Sequence, residues 1–178
     1  MTYVTANGGP RQILCNRCMN VEMAAGMGIP YQHHAFEPMQ FKDASGNKHT
    51  FSFEARLFGG NISLDAVEKC KSGRSGYEFQ VIGNAGDDQL ILLGRLIEKI
   101  RRALARRHLE RGSFGWHISE EAVVRARIDC DTAASLEHSM PMIVIDGREF
   151  TWDEFGRMMM TYEGWQFKLQ IYDKSEEL

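Results

Sequence analysis

The sequence of 178 residues is poor in cysteine and proline, with four of each, and has no apolar run long enough to cross a membrane. Four cysteines in a chain of this length do not make a disulfide scaffold. A membrane-spanning helix needs about 20 consecutive apolar residues, and residues 1–12 lack the basic start and apolar run of a secretory signal. These absences predict a cytoplasmic protein that does not engage a membrane.

The sequence also lacks the short motifs that mark common catalytic sites. It has no Gly-x-Ser-x-Gly turn, no His-Glu-x-x-His motif, no phosphate-binding loop and no dinucleotide fingerprint. Sequence neighbours such as Glu120 and Glu121 are more typical of a surface than of a general acid and base. We therefore expect no catalytic residues, and an enzyme of an unidentified class is one alternative hypothesis.

What is present is the composition of an ordinary globular protein, 43% apolar and 25% charged with a net charge of −3. A folded chain of this size buries roughly 70% of the surface that its unfolded form exposes, so a core can form without disulfides. Strand and helix patterns mix without a repeated crossover, which predicts an α+β fold: a largely antiparallel sheet of hairpins packed against two or three helices. We expect a flexible tail at 1–12, a Cys-x-x-Cys knuckle segment at 13–38, an α+β domain at 39–173 and a flexible acidic tail at 174–178.

Two hairpins are predicted from turn residues between alternating strands. The first joins 39–42 to 48–58 through a polar linker, and His49 falls on the apolar face of its second arm. The second joins 142–145 to 148–150 through Asp146-Gly147, a dipeptide that tolerates positive φ. Further strands are expected at 77–82, 122–130 and 165–171.

Helices are predicted from apolar spacing and capping residues. A short helix is expected at 63–70, and a long one at 88–111 that ends before Gly112. Another helix at 152–162 opens with Thr151 and Glu154, the pair of a capping box. Trp152 on that helix and Trp165 on the last strand fall on apolar faces, so we expect their replacement by alanine to cost about 3–5 kcal/mol.

Cys15-x-x-Cys18 is the strongest local signal for a site. Two thiolates at this spacing can bind one tetrahedral zinc, which needs two more ligands. We favour His33 or His34, about fifteen residues further on; the remaining histidine and cysteine candidates are His49, Cys70 and Cys130. The alternatives are a remnant knuckle or a redox pair, which requires a cysteine at a helix N-terminus. Cys70 and Cys130 are predicted to be small core residues.

A basic helix is the second feature. Seven Lys or Arg residues against two Glu lie between 95 and 111, which gives this stretch a net charge of +5 in a chain of −3. Arg95, Lys99, Arg102 and Arg106 recur at helical spacing and form a candidate anion-binding stripe. Such a stripe can bind nucleic-acid phosphates, although a solvated helix face gives the same pattern. Nucleic-acid binding is therefore an alternative function.

Several longer stretches carry a resemblance to a known family. They are Cys15–Asn20, Gly76–Gly83, Ile145–Arg148, Trp152–Met158 and Glu163–Phe167. Together they resemble an uncharacterised bacterial family, a domain of unknown function with an N-terminal cysteine knuckle, over most of the chain from Cys15 to Asp173. The resemblance implies no activity. The function expected first is a non-enzymatic binding or adaptor module, stabilised by a structural zinc, whose partner is another protein or a second copy of the chain.

Overall fold

The computed structural model describes residues 13–70, 76–113, 115–130 and 140–176. Both predicted tails fall wholly or partly outside these ranges. The helices are α1 (Asn16–Met27), α2 (Gln89–Leu104) and α3 (Trp152–Met159), and a 3-10 turn (Met160–Tyr162) continues α3. The strands are β1 (Met39–Lys42), β2 (Lys48–Phe58), β3 (Asn61–Glu68), β4 (Glu78–Asn84), β5 (Leu109–Gly112), β6 (Gly115–Ile118), β7 (Ala126–Cys130), β8 (Pro141–Ile145) and β9 (Arg148–Thr151). None of the described helices is long and apolar enough to span a bilayer.

The first half of the chain forms an antiparallel sheet in the order β1-β2-β3-β4. Each strand pairs with its sequence neighbour, and α2 packs against β3 and β4. The apolar side of α2 meets the sheet in one core, because its leucine and isoleucine residues recur at helical spacing. The core includes Phe51, Ile62, Leu64, Leu92, Leu96 and Ile100, all of them at most 1% exposed. The predicted first hairpin is confirmed with its bounds.

The helix predicted at 63–70 is wrong, because residues 61–68 form β3. Gly59 and Gly60 adopt φ values of 51° and 86°, which allow a two-residue hairpin turn between β2 and β3. Ser63 is buried within the sheet and does not cap a helix. The Gly-Gly turn was the signal that should have favoured a strand.

The long helix is correct at its start and wrong at its end. Asp88 caps α2 by accepting a hydrogen bond from the Leu90 amide at 2.8 Å. The helix ends at Leu104, and residues 109–112 pair with 115–118 as a hairpin. The amides of His108 and Leu109 donate to Asp146 Oδ2 at 2.8 and 2.9 Å. These hydrogen bonds to a turn distant in sequence hold the start of β5 in place. Local periodicity does not indicate them and therefore extends the helix too far.

The second half of the chain has a smaller core. A three-stranded sheet, β7-β8-β9, packs with α3 and the β5–β6 hairpin around Leu109, Ile143, Ile145, Phe150 and Met158. Asp146 and Gly147 form the predicted turn with φ values of 49° and 68°. The predicted capping box of Thr151 and Glu154 is also present. The α+β fold of antiparallel hairpins and helices is therefore confirmed.

Four predictions in this half are wrong. Residues 165–171 form no strand, and Trp165 is 73% exposed and Trp152 46% exposed, so neither ring is a core residue. The strand expected at 122–130 is reduced to β7, whose exposed side is the one predicted to be apolar, with Ile128 at 59% exposure. Cys130 on that side is exposed as well, so its prediction as a small core residue is wrong; Cys70, in the first half, is only half-buried. Local alternation identified an apolar face but not whether anything covers it.

A polar side chain joins α1 to the first sheet. β1 pairs only with residues 48–51 of β2, so the later part of that edge has no partner among the described strands. Buried Asn20 takes this place: its Nδ2 donates to the Ala55 carbonyl at 2.8 Å, and its Oδ1 accepts from the Leu57 amide at 3.0 Å. The side-chain amide thus satisfies backbone groups that would otherwise lack partners.

Candidate functional site

Cys15 and Cys18 lie together at the N-terminus of α1. Cys15 is the N-cap with extended backbone angles, and its carbonyl accepts the first helical hydrogen bond, from the Met19 amide at 2.9 Å. Both cysteines are exposed free thiols. Hydrogen bonding from the Cys18 amide and thiol lowers the pKa of Cys15. The Cys15 sulfur and its charge raise the pKa of Cys18. The pKa values of the two thiols are therefore shifted in opposite directions.

His33 and His34 are half-buried in the segment that leads from α1 to β1. His33 Nδ1 lies 3.4 Å from the Tyr31 hydroxyl, and burial followed by the charge of Arg17 lowers its pKa. His34 lines a shallow pocket with residues 30–32 and 85–89. Within the described ranges, no three His, Cys, Asp or Glu side chains are grouped as a metal site. The zinc hypothesis with Cys15, Cys18 and one of these histidines stays a prediction.

The fold places the four residues of the basic stripe in two different environments. Arg95 and Arg102 lie exposed on α2, and Arg106 lies exposed just beyond it. Lys99 is half-buried, and its Nζ donates to the carbonyls of Gln80, Lys174 and Glu176 at 3.1, 2.9 and 2.6 Å. Lys99 therefore links residues 174 and 176 to β4, and its ammonium group is hydrogen-bonded within the protein. Anion binding by the stripe stays a prediction, with three of its four charges at the surface.

A charged cluster surrounds His49 at the end of the first hairpin. The two ring nitrogens of His49 lie 2.6 Å from Glu68 Oε1 and 3.3 Å from Asp43 Oδ2. Hydrogen bonding with Glu68 raises the pKa of His49. Desolvation raises the pKa of Asp43, but hydrogen bonds from Asn47, His49 and Ser45 outweigh it and bring that pKa down to about 2. The cluster is an ion-pair network that fixes the turn and the edge of the sheet.

This cluster contacts the second half of the chain through Gly147. The Tyr77 amide donates to Glu68 Oε2 at 3.0 Å, and the Tyr77 ring stacks edge-on against His49. A Cβ on Gly147 would lie 2.8 Å from Tyr77 Cδ2, closer than real Cβ contacts. The turn between β8 and β9 can approach Tyr77 because Gly147 has no side chain and a φ of 68°. Nearby, Arg127 Nη1 on β7 pairs with Glu78 Oε1 on β4 at 3.3 Å.

A run of exposed apolar side chains lies on the C-terminal arm, residues 165–172. Its alternate side chains, Trp165, Phe167, Leu169 and Ile171, are 73%, 77%, 71% and 74% exposed. The arm has no helix or strand hydrogen bonds, and no backbone hydrogen bond joins residues 166–172 to any other described residue. The Tyr172 hydroxyl donates to Gln170 Oε1 at 3.0 Å, as expected when residues i and i+2 share a side of an extended chain.

Both ends of the C-terminal arm are anchored. At its start, the Trp165 amide donates to the Tyr162 carbonyl at 2.9 Å, and the two rings pack edge to face at 5.6 Å. Just beyond its end, Lys174 Nζ pairs with Glu78 Oε2 at 2.8 Å. The arm is therefore held in place by its ends while its apolar side chains stay in solvent.

A second exposed apolar feature lies on β7. This strand is at the edge of its three-stranded sheet among the described residues. Ile128 is 59% exposed, and it is accompanied by exposed Val123 and Met140 near the ends of β7. Ala126 and Cys130 share the exposed side of the strand, whereas Arg127 and Asp129 lie on the other side, where they pair at 3.0 Å. The exposed side of β7 is therefore free of charge.

Sequence reasoning missed the partners of His49 and the exposure of the C-terminal arm. The contacts of His49 with Glu68 cross the sheet, and no local pattern indicates them. For the arm a signal was available: four alternating apolar residues follow a helix end at Gly164. The sequence was correct that the arm is apolar at alternate positions, but it could not show that the arm lies outside the strands of the sheet.

The chain is similar to two families of unknown function over consecutive segments. A model of a domain of unknown function, DUF7686, matches residues 32–105, and a model of another, DUF7713, matches residues 108–176. No curated protein and no solved structure matches the chain. The resemblance to a domain of unknown function is confirmed in this form. The bacterial origin and the knuckle as a family feature stay predictions, since Cys15 and Cys18 precede both matched segments.

Proposed function

We propose that this protein is an interaction module that forms a dimer by exchange of the C-terminal arm between two copies. In the proposed dimer, residues 165–172 of each copy add as a strand to the β7 edge of the other. The observation that carries the proposal is the arm itself, an extended segment with four large apolar side chains more than 70% exposed. The expectations of a bacterial and cytoplasmic protein accompany this proposal as predictions.

The backbone of the C-terminal arm supports strand addition. Extended peptides bind sheet edges through main-chain hydrogen bonds, and alternate side chains supply the specificity. No backbone–backbone hydrogen bond joins residues 166–172 to another described residue, so the arm is not already paired as a strand. Because both ends of the arm are anchored, less conformational entropy is lost when it pairs than for a free tail.

The apolar area of the arm is large enough for a dimer. The four alternating side chains expose on the order of 500 Å², at the upper end of the largest apolar patch on a typical monomer. Two arms in one assembly would bury about 1,000 Å² from these side chains alone, which reaches the lower limit of specific interfaces. Their exposure in a single copy favours a surface that is covered by a partner.

Charge and symmetry favour a second copy of the chain as the partner of the C-terminal arm. The alternating apolar side of the arm carries no charge, and neither does the exposed side of β7 around Ile128. Each chain therefore has both a donor strand and an uncharged acceptor edge. Reciprocal exchange between two copies closes with two-fold symmetry and leaves no further arm unpaired.

The first experiment measures the oligomeric state by light scattering during size-exclusion chromatography over a range of protein concentrations. The wild-type chain should be dimeric at the upper concentrations. A double change, Phe167→Lys with Leu169→Lys, should give a monomer, because charge on the apolar side of an added strand cannot be buried. The matched control is Lys168→Gln, which changes the other side of the same arm and should leave the dimer intact.

The second experiment identifies the acceptor. Ile128→Lys should also give a monomer, because an edge lysine opposes strand pairing. A mixture of this variant with the double arm variant should form a weaker heterodimer, since one intact arm can still meet one intact β7 edge. The second pairing of this heterodimer would place the changed arm of one variant against the changed β7 edge of the other. Both carry added lysines, so they should repel each other.

Each result bears on a different part of the proposal. A wild-type chain that stays monomeric at all concentrations contradicts the dimer. A dimer that survives the double arm change contradicts the role of the arm. If arm variants are monomeric but Ile128→Lys is dimeric, the arm pairs with something other than β7, and the acceptor assignment is wrong.

A further inference from the structure

A shallow pocket lies where the segment after α1 meets the first turn of α2. Its volume is about 140 Å³, which is below the roughly 300–1,000 Å³ of sites for drug-sized ligands. One wall consists of residues 30–32 with His34, and the other consists of residues 85–88 with Gln89. None of these residues belongs to the C-terminal arm or to β7, so the pocket is separate from the proposed dimer contact.

Gln89 leaves a buried hydrogen-bond acceptor without a partner in this pocket. The residue is 8% exposed, and its Nε2 donates to the Gln32 carbonyl at 2.8 Å. Because a carbonyl can only accept, this hydrogen bond requires the amide nitrogen on the side of Gln32 and leaves the oxygen on the other side. Gln89 Oε1 is buried and accepts no hydrogen bond from any described residue. An unpartnered buried acceptor is costly, so this oxygen indicates a donor that comes from a ligand.

Two carboxylates next to Gln89 give the pocket a negative charge. Asp88 Oδ1 accepts from the Leu90 amide at 2.8 Å, and Asp87 Oδ2 accepts from the Asn84 amide at 2.8 Å. Each hydrogen bond holds its side chain in place and uses one of the two carboxylate oxygens. The residues that line the pocket include no Lys or Arg. The pocket therefore combines acceptors with negative charge.

The turn that carries Asp87 is fixed by the fold. The Asp87 amide donates to the Asn84 carbonyl at 2.9 Å, and the Ala85 amide donates at 2.9 Å to the Gly60 carbonyl in the turn between β2 and β3. A Cβ on Gly83 would lie 2.6 Å from Asp87 Oδ2, so the absence of a side chain there allows the carboxylate its position. A wall that is already held in place loses little entropy when a ligand binds.

We propose that this pocket binds a primary alkylammonium group. An ammonium group has three N–H donors and no acceptor, so it can donate to Gln89 Oε1 and to a carboxylate of Asp87 or Asp88 at the same time. Hydrogen bonds between ionised groups are about twice as strong as those between neutral groups. Pro30 and Tyr31 also line the pocket and offer apolar surface to the alkyl chain.

The dipole of α2 opposes a cation here, but it is the weaker effect. A helix N-terminus carries about half a positive elementary charge, whereas Asp87 and Asp88 carry two negative charges. Asp88 also accepts from one of the free amides of the first turn. An anion would instead meet two carboxylates and the unpartnered oxygen of Gln89. A water molecule would satisfy that oxygen without using the carboxylates, so the test has to separate water from an ammonium group.

The test titrates the full chain with n-butylammonium chloride at low ionic strength, where charges are little screened, and follows the amide signals by NMR. We expect saturable shifts of the backbone amides of residues 30–32 and 85–89 and of the side-chain amide of Gln89. So small a ligand should bind with a dissociation constant on the order of 1 mM. The uncharged probe n-butanol has the same carbon chain and should bind at least about 10-fold more weakly.

Charge variants test the two carboxylates. Asp87→Asn and Asp88→Asn each remove a charge and keep an acceptor oxygen, and asparagine is also a good helix cap. Each change should weaken n-butylammonium binding, and the two together should weaken it at least about 10-fold. The matched control is Glu98→Gln, an exposed residue about 15 Å further along the same helix. This control should leave binding unchanged.

A change at Gln89 tests the unpartnered oxygen. Gln89→Met keeps the length of the side chain and removes the acceptor, so binding of n-butylammonium should weaken at least about 10-fold. The midpoint of urea unfolding checks that this variant is folded. The asparagine variants, which keep the Gln89 side chain, test the site if it is not.

A blocked lysine, N-acetyl-lysine methylamide, distinguishes two sources of the ammonium group. Binding at least as tight as that of n-butylammonium would assign the group to a lysine side chain of a partner protein. Weaker binding would assign it to a free amine, and both results support the site.

Three results would overturn the proposal. The first is the absence of saturable shifts at n-butylammonium concentrations far above the expected constant. The second is an equal effect of n-butanol on the same amides, which would show a pocket that holds water and neutral solutes only. The third is a loss of binding in Glu98→Gln as large as that in Asp88→Asn, which would show a diffuse attraction to the helix.

Discussion

The two halves of this protein treat apolar side chains in opposite ways. In residues 32–105, the large apolar residues of the sheet and α2 form one core, and many of them are fully buried. In residues 108–176, five residues form the buried core, whereas the C-terminal arm and β7 leave theirs in solvent. The first half thus has the larger buried core, and in our proposal the dimer contact covers the apolar side chains that the second half exposes.

The largest expected effect separates a core leucine from an arm leucine. Leu96 is 0% exposed and Leu169 is 71% exposed. Leu96→Ala should lower the free energy of unfolding by about 2–5 kcal/mol, because it removes buried methyl groups and leaves a cavity. Leu169→Ala should change it by less than about 0.5 kcal/mol in the monomeric Ile128→Lys chain. Urea unfolding measures both, and equal losses would remove the distinction between the halves.

The next largest loss of stability is expected at Asn20, which attaches α1 to the first sheet. Asn20→Leu should destabilise the protein by about 1–3 kcal/mol, because the Leu57 amide and Ala55 carbonyl lose buried partners. Asn16→Ala on the same helix is the control, since Asn16 Nδ2 makes no hydrogen bond to the described residues. Urea unfolding of both variants should show a loss for Asn20 only.

A smaller effect, dependent on pH, is expected at His49. Its pKa is raised in the folded protein above the usual 6.5, so its stabilising contribution is complete below pH 6.5 and is lost as pH rises through the folded value. The pKa of Glu68 is lowered from 4.5, so the contribution of that carboxylate is lost only as pH falls below this range. His49→Gln should therefore cost about 1–2 kcal/mol near pH 5.5 and less at pH 8.5.

Urea unfolding of wild type and His49→Gln at the two pH values checks this window. A difference between the two proteins that grows as pH rises would show that the neutral imidazole is the stabilising form. His117, which lies 3.8 Å from Glu110 with both side chains nearly half exposed, provides the control. His117→Gln should change the free energy of unfolding by less than about 0.5 kcal/mol, because exposed ion pairs contribute little.

The smallest expected effect is at Trp165, where the sequence predicted a large one. In the monomeric Ile128→Lys chain, Trp165→Ala should change the free energy of unfolding by less than about 0.5 kcal/mol. In the wild-type chain at dimer-forming concentrations, the same change should weaken association, because large aromatic side chains dominate interface energies. A loss of several kcal/mol in the monomer would show that the ring is part of the core after all.

Local chemistry explains which elements could be predicted. The Asp146-Gly147 turn, the capping box at Thr151 and the first hairpin depend on neighbouring residues, and all three were correct. The end of α2 was not, because it depends on Asp146, which lies 37 residues beyond Leu109. The pattern of residues 63–70 predicts a helix, although they lie mostly in β3, because a short mixed apolar pattern fits both periods.

The candidate sites show the same limit. Cys15 and Cys18 could be identified from spacing alone, and the structure adds that they begin a helix. The anion stripe was predicted from helical periodicity, which could not indicate that Lys99 is engaged by carbonyls about 75 residues away. Whether alternating apolar residues are buried depends on the whole fold and on partners, so the exposure of the C-terminal arm could not be read from its alternation.

The attachment of residues 174–176 to Lys99 and Glu78 also has a consequence for the order of folding. Sheet pairing from β1 to β4 joins sequence neighbours, so each step closes a short loop. The contact of Lys174 with Glu78 spans 96 residues, and that of Lys99 with Glu176 spans 77. Long loops are entropically costly to close before other contacts exist. We expect the first sheet to form early and this attachment last, so amides around residues 173–176 should exchange with solvent while the sheet is still protected.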